Sequence, residues 1–159
     1  VNEEVDRVIH VVRECGLTHV QLHGAESPDC CRTLAARVPS CRIIKAVRVG
    51  AHSTAADIIP YQSVVHGYLL DTYEKDMVGG TGQKFDWSLI DRLEPGRPFF
   101  LAGGLDLENI RNALEQITPY GVDANSGLED APGIKNHHRI RSFITTVRTF
   151  ECEHLACQQ

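Results

Sequence analysis

The sequence predicts an α/β fold built from consecutive βα units, and three observations carry the prediction. Apolar segments alternate between helical and extended periodicity along the chain, with strand starts spaced by roughly 22 to 32 residues. His23, Arg48, Asp71, Gly103 and Asn125 all fall at or just beyond the C-terminal ends of successive predicted strands. Two stretches, residues 98–105 and 121–128, each run from a short apolar strand into a glycine-containing turn. Exposed backbone N–H groups at such turns, with the positive end of a following helix, suit a phosphate. Two of them in succession point to one shared anion.

Taken in order, Asn2 is placed to cap a first helix, in which Val5, Val8, Ile9 and Val12 recur at helical spacing before Gly16 ends it. Residues 18–24 read as a strand, and Ser27-Pro28 opens a helix that ends before Pro39. Residues 41–49 form the second strand, residues 53–61 a modest helical piece, and residues 66–72 a third strand whose last residues are polar. The low-apolar segment that follows contains Gly79-Gly80-Thr81-Gly82, and a loop of this length usually has a function. It is not a nucleotide-binding P-loop, because Gln83 and Phe85 flank Lys84 where that motif needs Gly and Ser or Thr. Asp86 caps a helix to Leu93; the strand at Phe99 follows, then a helix over residues 107–117 capped by Asp106. A strand at Gly121 and a helix over residues 137–150 complete a domain over residues 1–150, and residues 151–159 read as a C-terminal tail.

A chain of 159 residues with 42% hydrophobic content is long enough for one domain with a real core. Its net charge of −5, with Lys and Arg scattered, argues against a nucleic-acid partner. The longest apolar runs, such as residues 43–49 interrupted by Lys45 and Arg48, are too short to span a membrane, and no targeting segment opens the chain. A cytoplasmic protein is predicted. The six cysteines are irregularly spaced, which favours reduced thiols over a disulfide framework. Cys152, His154 and Cys157 are metal-ligand types, but no second ligand pair accompanies them, and no metal site is predicted.

Pattern alone leaves an open doubly wound sheet and a closed barrel as alternatives. The motifs Val20-Gln21-Leu22-His23-Gly24, Lys45-Ala46-Val47-Arg48-Val49, Leu69-Leu70-Asp71-Thr72, Gly79-Gly80-Thr81-Gly82 with Phe85-Asp86-Trp87, and Leu101-Ala102-Gly103-Gly104-Leu105 occur in this order. Together with Val122-Asp123-Ala124-Asn125-Ser126-Gly127-Leu128-Glu129 and Pro132-Gly133-Ile134-Lys135, they make residues 2–147 resemble the phosphoribosylanthranilate isomerase family.

That resemblance implies a (β/α)₈ TIM barrel of tryptophan biosynthesis, here about five βα units corresponding to the fourth to eighth strands, with the first three strands absent. It implies an Amadori rearrangement of N-(5′-phosphoribosyl)anthranilate to 1-(2-carboxyphenylamino)-1-deoxyribulose 5-phosphate, without a cofactor. Asp71 would be the general acid that opens the ribose ring; Gly103, Gly104, Ser126 and Gly127 would hold the phosphate. Gly79, Gly80, Thr81 and Gly82 would lie over the site; by position at the strand ends, His23 and Arg48 are candidates to contact substrate, and Asp123 and Asn125 either orient it or brace their loop. The Lys-x-Cys-Gly motif that supplies the family's general base is not found, and the chain begins with Val1. Arg13-Glu14-Cys15-Gly16 looks like a displaced copy, but a thiol at a helix end before a strand lies opposite the strand's C-terminal end.

From the residues themselves, His23 is equally a structural strand-end histidine, whereas for Arg48 a barrel-rim ion pair is favoured over a contact with a carboxylate or phosphate. Asp71, an acid at a strand end ahead of a glycine-rich loop, is the most functional of the set. Two readings follow: an isomerase polypeptide inactive alone, with an N-terminal half or fusion partner supplying the missing strands, or a non-catalytic phosphate-binding or assembly fragment. In both, the partner is a small phosphosugar or phosphate.

Overall fold

The computed structural model describes residues 1–72 and 87–156, and within them the five predicted strands form one parallel sheet. β1 (His19–Leu22), β2 (Arg42–Arg48), β3 (Gly67–Asp71), β4 (Phe99–Ala102) and β5 (Gly121–Val122) pair in chain order. Arg48 stands level with Asp71, and Asp71 with Ala102, so these strands end side by side. The polar residues that follow them converge on one edge of the sheet. Each strand is short, and its alternate residues face opposite ways.

One face is covered by helices. α1 (Val5–Glu14), α2 (Pro28–Arg37), α3 (Ser88–Asp91), α4 (Ile110–Gln116) and α5 (His137–Ala156) pack on Leu22, Ile43, Tyr68, Leu70 and Leu101 in a single contiguous core. Ile43, Tyr68, Leu70 and Leu101 are fully buried, and each such side chain contributes about 1.5–3 kcal/mol of transfer free energy. The other face carries the smaller cluster of Ala46, Leu69 and Ala102, flanked by Ile44 and Phe100. By alternation His23, Arg48, Asp71 and Asp123 share the side of that second face.

Several predicted boundaries move, each for a local reason. Asn2 does not cap α1: its φ is +55°, Glu4 occupies the cap position, and the Asn2 amide serves another segment. Ser27 does cap α2, its hydroxyl accepting from the Cys30 N–H at 3.2 Å. The helical piece at residues 53–61 breaks into two 3₁₀ turns, Ala55–Asp57 and Ile59–Tyr61, the second carrying Pro60, which lacks an N–H for a continuous helix. Asp106 caps a preliminary turn, accepting from the Glu108 and Asn109 N–H groups, and α4 starts later. A hairpin of β6 (Glu129–Ala131) and β7 (Ile134–Lys135) turns at Gly133, which has φ +80°. No strand was predicted there. The last helix, expected over residues 137–150, runs on as α5 to Ala156, with His154 stacked on Phe150.

The expectation of a (β/α)₈ barrel piece with its first three strands absent is also corrected. A barrel requires its first and last strands to hydrogen-bond. Among the described residues the sheet is open, with β1 and β5 at its edges. Its helix-side core is one cluster running from Ile9 to Phe150 with residues of all five helices. The predicted cover loop, Gly79, Gly80, Thr81 and Gly82, lies outside the described residues. No described helix is long and apolar enough to cross a membrane. The described cysteines are free thiols, and no group of three His, Cys, Asp or Glu among the described residues could hold a metal ion.

Candidate active site

Asp71 ends β3, and His23 follows β1 on the same side of the sheet. The His23 Nε2 lies 3.8 Å from the Asp71 Oδ2, an ion-pair distance when the imidazole is protonated. The Gln21 amide nitrogen is 3.2 Å from the His23 Nδ1. Because that amide can only donate, Nδ1 accepts, and the neutral ring carries its proton on Nε2, towards Asp71. The pair thus presents a carboxyl and an N–H to the same space.

That space is an open cavity of about 350 Å³, bordered by His23, Asp71, Gly103, Gly104, Asp123, Asn125 and Ser126, with Leu69, Ala102 and Leu105 beneath. Its volume lies within the range of small-molecule sites. Seven of the predicted site residues therefore meet around one cavity. Arg48 and Gly127 do not line it. Arg48 is the register neighbour of Asp71 on β2, at the rim. Gly127 lies behind the wall: a Cβ there would be 2.2 Å from the Leu105 carbonyl oxygen and 2.8 Å from the Asp106 Cβ. The β4 and β5 loops approach each other this closely only over a glycine.

The loop after β4 is shaped by backbone conformation. Gly103 and Gly104 have φ of +92° and +61°, the left-handed region that disfavours side chains. The Thr72 hydroxyl is 2.9 Å from the Ala102 carbonyl oxygen and 3.1 Å from that of Gly103, tying the end of β3 to the turn. The Asn109 amide donates to the Gly104 carbonyl at 2.8 Å, and its oxygen accepts from the Asp106 N–H at 3.0 Å. The loop after β5 is held by Lys135, whose ammonium bonds both the Asn125 carbonyl and its side-chain oxygen, and Glu129 at 2.7 Å. The side-chain oxygen of Asn125 is thus engaged in bracing its own loop.

Thr72, Asn109 and Lys135 are supports that the sequence reading did not single out. Thr72 followed a predicted catalytic acid and Asn109 lies one turn into a capped segment, so position was a usable signal for both. Lys135 acts through a hairpin that was not foreseen.

A second unforeseen feature lies under the β1 loop. Lys45 is 3% exposed and Glu26 9% exposed, and their side chains pair at 3.2 Å. Burial acts to raise the Glu26 carboxyl, but hydrogen bonds from the N–H groups of Asn2, Glu26 and Gly24, together with Lys45, outweigh it and hold it at about 2. A carboxyl depressed from 4.5 to about 2 stabilises the fold above the unfolded-state value, and that stability is lost as pH falls through the folded value. The full contribution is about 3 kcal/mol. Urea unfolding at pH 6 and pH 3 is expected to show Glu26 alone removing about 2 kcal/mol. The Glu26→Gln variant should show a correspondingly shallower decline; an equal decline would refute the assignment.

Comparisons with known proteins identify the family. The sequence model described as N-(5′-phosphoribosyl)anthranilate (PRA) isomerase matches residues 1–146. The isomerase of Acaryochloris marina is 40% identical over 148 residues, covering 93% of this chain and 68% of that protein. The isomerase of Syntrophus aciditrophicus is 42% identical over 153 residues, covering 95% of this chain and 63% of that protein. The crystal structure of the Thermotoga maritima isomerase superposes with a TM-score of 0.72 at 39% identity, over 94% of this chain and 70% of that one. That superposition completes the correction of the partial-barrel expectation: nearly the whole chain follows the isomerase fold, and it does so through its five-stranded parallel sheet. A further solved isomerase, 36% identical with a TM-score of 0.68 over 93% of this chain and 68% of that one, is in complex with reduced 1-(o-carboxyphenylamino)-1-deoxyribulose 5-phosphate. This chain belongs to the N-(5′-phosphoribosyl)anthranilate isomerase family, aldose-ketose isomerases of tryptophan biosynthesis.

Proposed function

We propose that the cavity at the strand ends binds N-(5′-phosphoribosyl)anthranilate, with Asp71 as the acid of its isomerisation. The observation that carries this reading is the placement of Asp71 and the His23 N–H on one wall of a single cavity, with the two glycine-bearing loops on another. Asp71 donates its proton to the ribose ring oxygen, the C1′–O bond breaks, and the anilino nitrogen lone pair forms the Schiff base. Loss of the C2′ proton then gives an enolamine that tautomerises to the ketose. His23, with its N–H towards Asp71, stabilises the carboxylate left after proton donation.

The phosphate is assigned to the backbone N–H groups around Gly103, Gly104 and Ser126, with Gly127 permitting the two loops to close on one anion. Arg48, the register neighbour of Asp71 at the rim, is assigned to the anthranilate carboxylate. Asp123 orients the ribose hydroxyls, and Asn125 braces the loop through Lys135.

The base for the C2′ proton is the weakest-provided function. The exposed thiol of Cys15 follows α1 and precedes β1, at the opposite end of the sheet from Asp71. Besides Asp71, the ionisable groups lining the described cavity are His23 and Asp123. Turnover by this chain alone is therefore expected to be slight or absent, while phosphate binding is retained.

Both halves are tested together, by following the fluorescence change of N-(5′-phosphoribosyl)anthranilate and by titrating inorganic phosphate into isotopically labelled protein. Phosphate-induced shifts at the Gly103, Gly104 and Ser126 amides support the site, and their absence refutes it. Rapid turnover by this chain alone, abolished in Asp71→Asn, would overturn the expectation of a missing base and keep the acid. Phosphate binding without affinity for the reduced product analogue would return the site to a non-catalytic phosphate-binding role.

A further inference from the structure

We propose that Lys45 is a positioning residue for the site, setting His23 against Asp71 by gripping the backbone on both sides of the histidine. Lys45 sits on the helix side of β2, behind the cavity, and takes no part in the chemistry assigned above. Its ammonium lies 3.3 Å from the Leu22 carbonyl oxygen and 2.6 Å from that of Gly24, the residues immediately before and after His23. It also reaches the Ala46 carbonyl at 3.0 Å and the Glu26 carboxylate at 3.2 Å.

The same turn is held from three further directions. The Glu26 carboxylate accepts from the Gly24 N–H at 2.9 Å and the Asn2 N–H at 3.0 Å. The Asn2 side chain accepts from the Ala25 N–H at 2.6 Å. The Tyr61 hydroxyl donates to the Glu26 carbonyl at 3.0 Å. A Cβ on Gly24 would be 2.2 Å from the Asn2 side-chain oxygen and 2.8 Å from a Glu26 carboxylate oxygen, so a larger residue there would displace the two side chains that hold the turn. Between Leu22 and Glu26 the Leu22, Gly24 and Glu26 carbonyls and the Gly24 and Ala25 N–H groups are all held by side chains, while the one side chain this stretch presents to the cavity is His23.

Stability alone does not account for such a pair. Well-packed apolar residues commonly replace a buried ion pair at no loss of stability. What an apolar pair cannot do is bond two carbonyls that flank one residue and a third on the neighbouring strand. The grip fixes the point and direction from which the His23 side chain leaves the turn, and small errors there are costly to preorganised sites.

The inference rests on the proposed function only where a substrate analogue is used, so the test has two readouts. The first is the nuclear Overhauser cross-peak between the His23 ring and the Asp71 β-protons, which needs no ligand. The second is affinity for the reduced product analogue, set against affinity for inorganic phosphate. The variant is the double change Lys45→Met with Glu26→Gln, which removes both charges and keeps the volume, studied with and without His23→Ala.

The double variant is expected to lose the cross-peak, to keep phosphate affinity within about twofold, and to bind the analogue roughly tenfold more weakly. On the His23→Ala background, where there is nothing left to position, it should change analogue affinity by less than about twofold. A cross-peak that persists in the folded double variant overturns the proposal, as does a full tenfold loss on the His23→Ala background. Should no form of the protein bind the analogue, the proposed substrate falls and the cross-peak alone decides the positioning role. Should the double variant not fold, Asn2→Ala, which removes only the outer grip on Ala25, is expected to weaken the cross-peak; an unchanged cross-peak then overturns the proposal.

Discussion

Lys45→Met alone is expected to destabilise the fold by about 3–5 kcal/mol, because it removes one member of a buried pair and leaves the Glu26 carboxylate without its cation. The carboxylate keeps its hydrogen bonds from the Asn2 and Gly24 N–H groups, which places the loss towards the lower end of that range. Three backbone carbonyls lose a donor at the same time, those of Leu22, Gly24 and Ala46. Adding Glu26→Gln removes the uncompensated charge and is expected to recover most of the stability. Urea unfolding of the two variants at pH 7 separates the cases. Equal stabilities in single and double variants would mean that the pair's electrostatics count for little and that Lys45 matters for packing alone.

The sheet was legible in the sequence because its strands are short apolar runs closed by polar residues. Ile43, Leu70 and Leu101 face the helices, while Ala46, Leu69 and Ala102 face the other way, and the polar residues that end each run gather at one edge. His23 and Asp71 could be matched across the sheet from that regularity alone. Lys45 was visible too, as a charge interrupting the apolar run of β2. Its alternation places it on the same side as Ile43 and Val47, among the helices, where a lysine needs a partner. The partner, Glu26, lies beyond β1 in a turn whose shape no periodicity records, and Asn2 joins it from the start of the chain.

The other departures share this origin. Asn2 has the composition of a helix cap, and tertiary contacts with Ala25 and Glu26 recruit it elsewhere. The β6–β7 hairpin has too little apolar alternation to announce a strand; Lys135 holds it instead, by ties to Asn125 and Glu129. Those ties lower the Glu129 carboxyl below its ordinary value, through Lys135 and then the Gly133 N–H. Local pattern carried the elements, and long-range polar contacts set the loops that bear the site.

Gly127→Ala is expected to be the most damaging single-atom change at the site. A Cβ at this position would stand 2.2 Å from the Leu105 carbonyl oxygen and 3.0 Å from its carbonyl carbon. Those are backbone atoms at the start of the loop that carries Asp106 and Asn109, so no side-chain rotation relieves the overlap; one loop must move away from the other. Leu105 is also 1% exposed and anchored in the helix-side core, which makes the β5 loop the one that yields. Overpacking of this kind costs about 1–3 kcal/mol in stability. The effect on binding is larger in proportion, because the two loops serve one anion only while their N–H groups converge: inorganic phosphate affinity is expected to fall at least tenfold, about 1.4 kcal/mol. Gly104→Ala provides the contrast. Nothing lies within 4 Å of a Cβ at Gly104, so its penalty comes from the +61° φ alone and leaves the spacing of the loops intact. Calorimetric phosphate titration of both variants tests the distinction. If Gly127→Ala binds phosphate as tightly as the unaltered chain, the two loops do not act on a common anion, and the assignment of the cradle to their convergence is wrong.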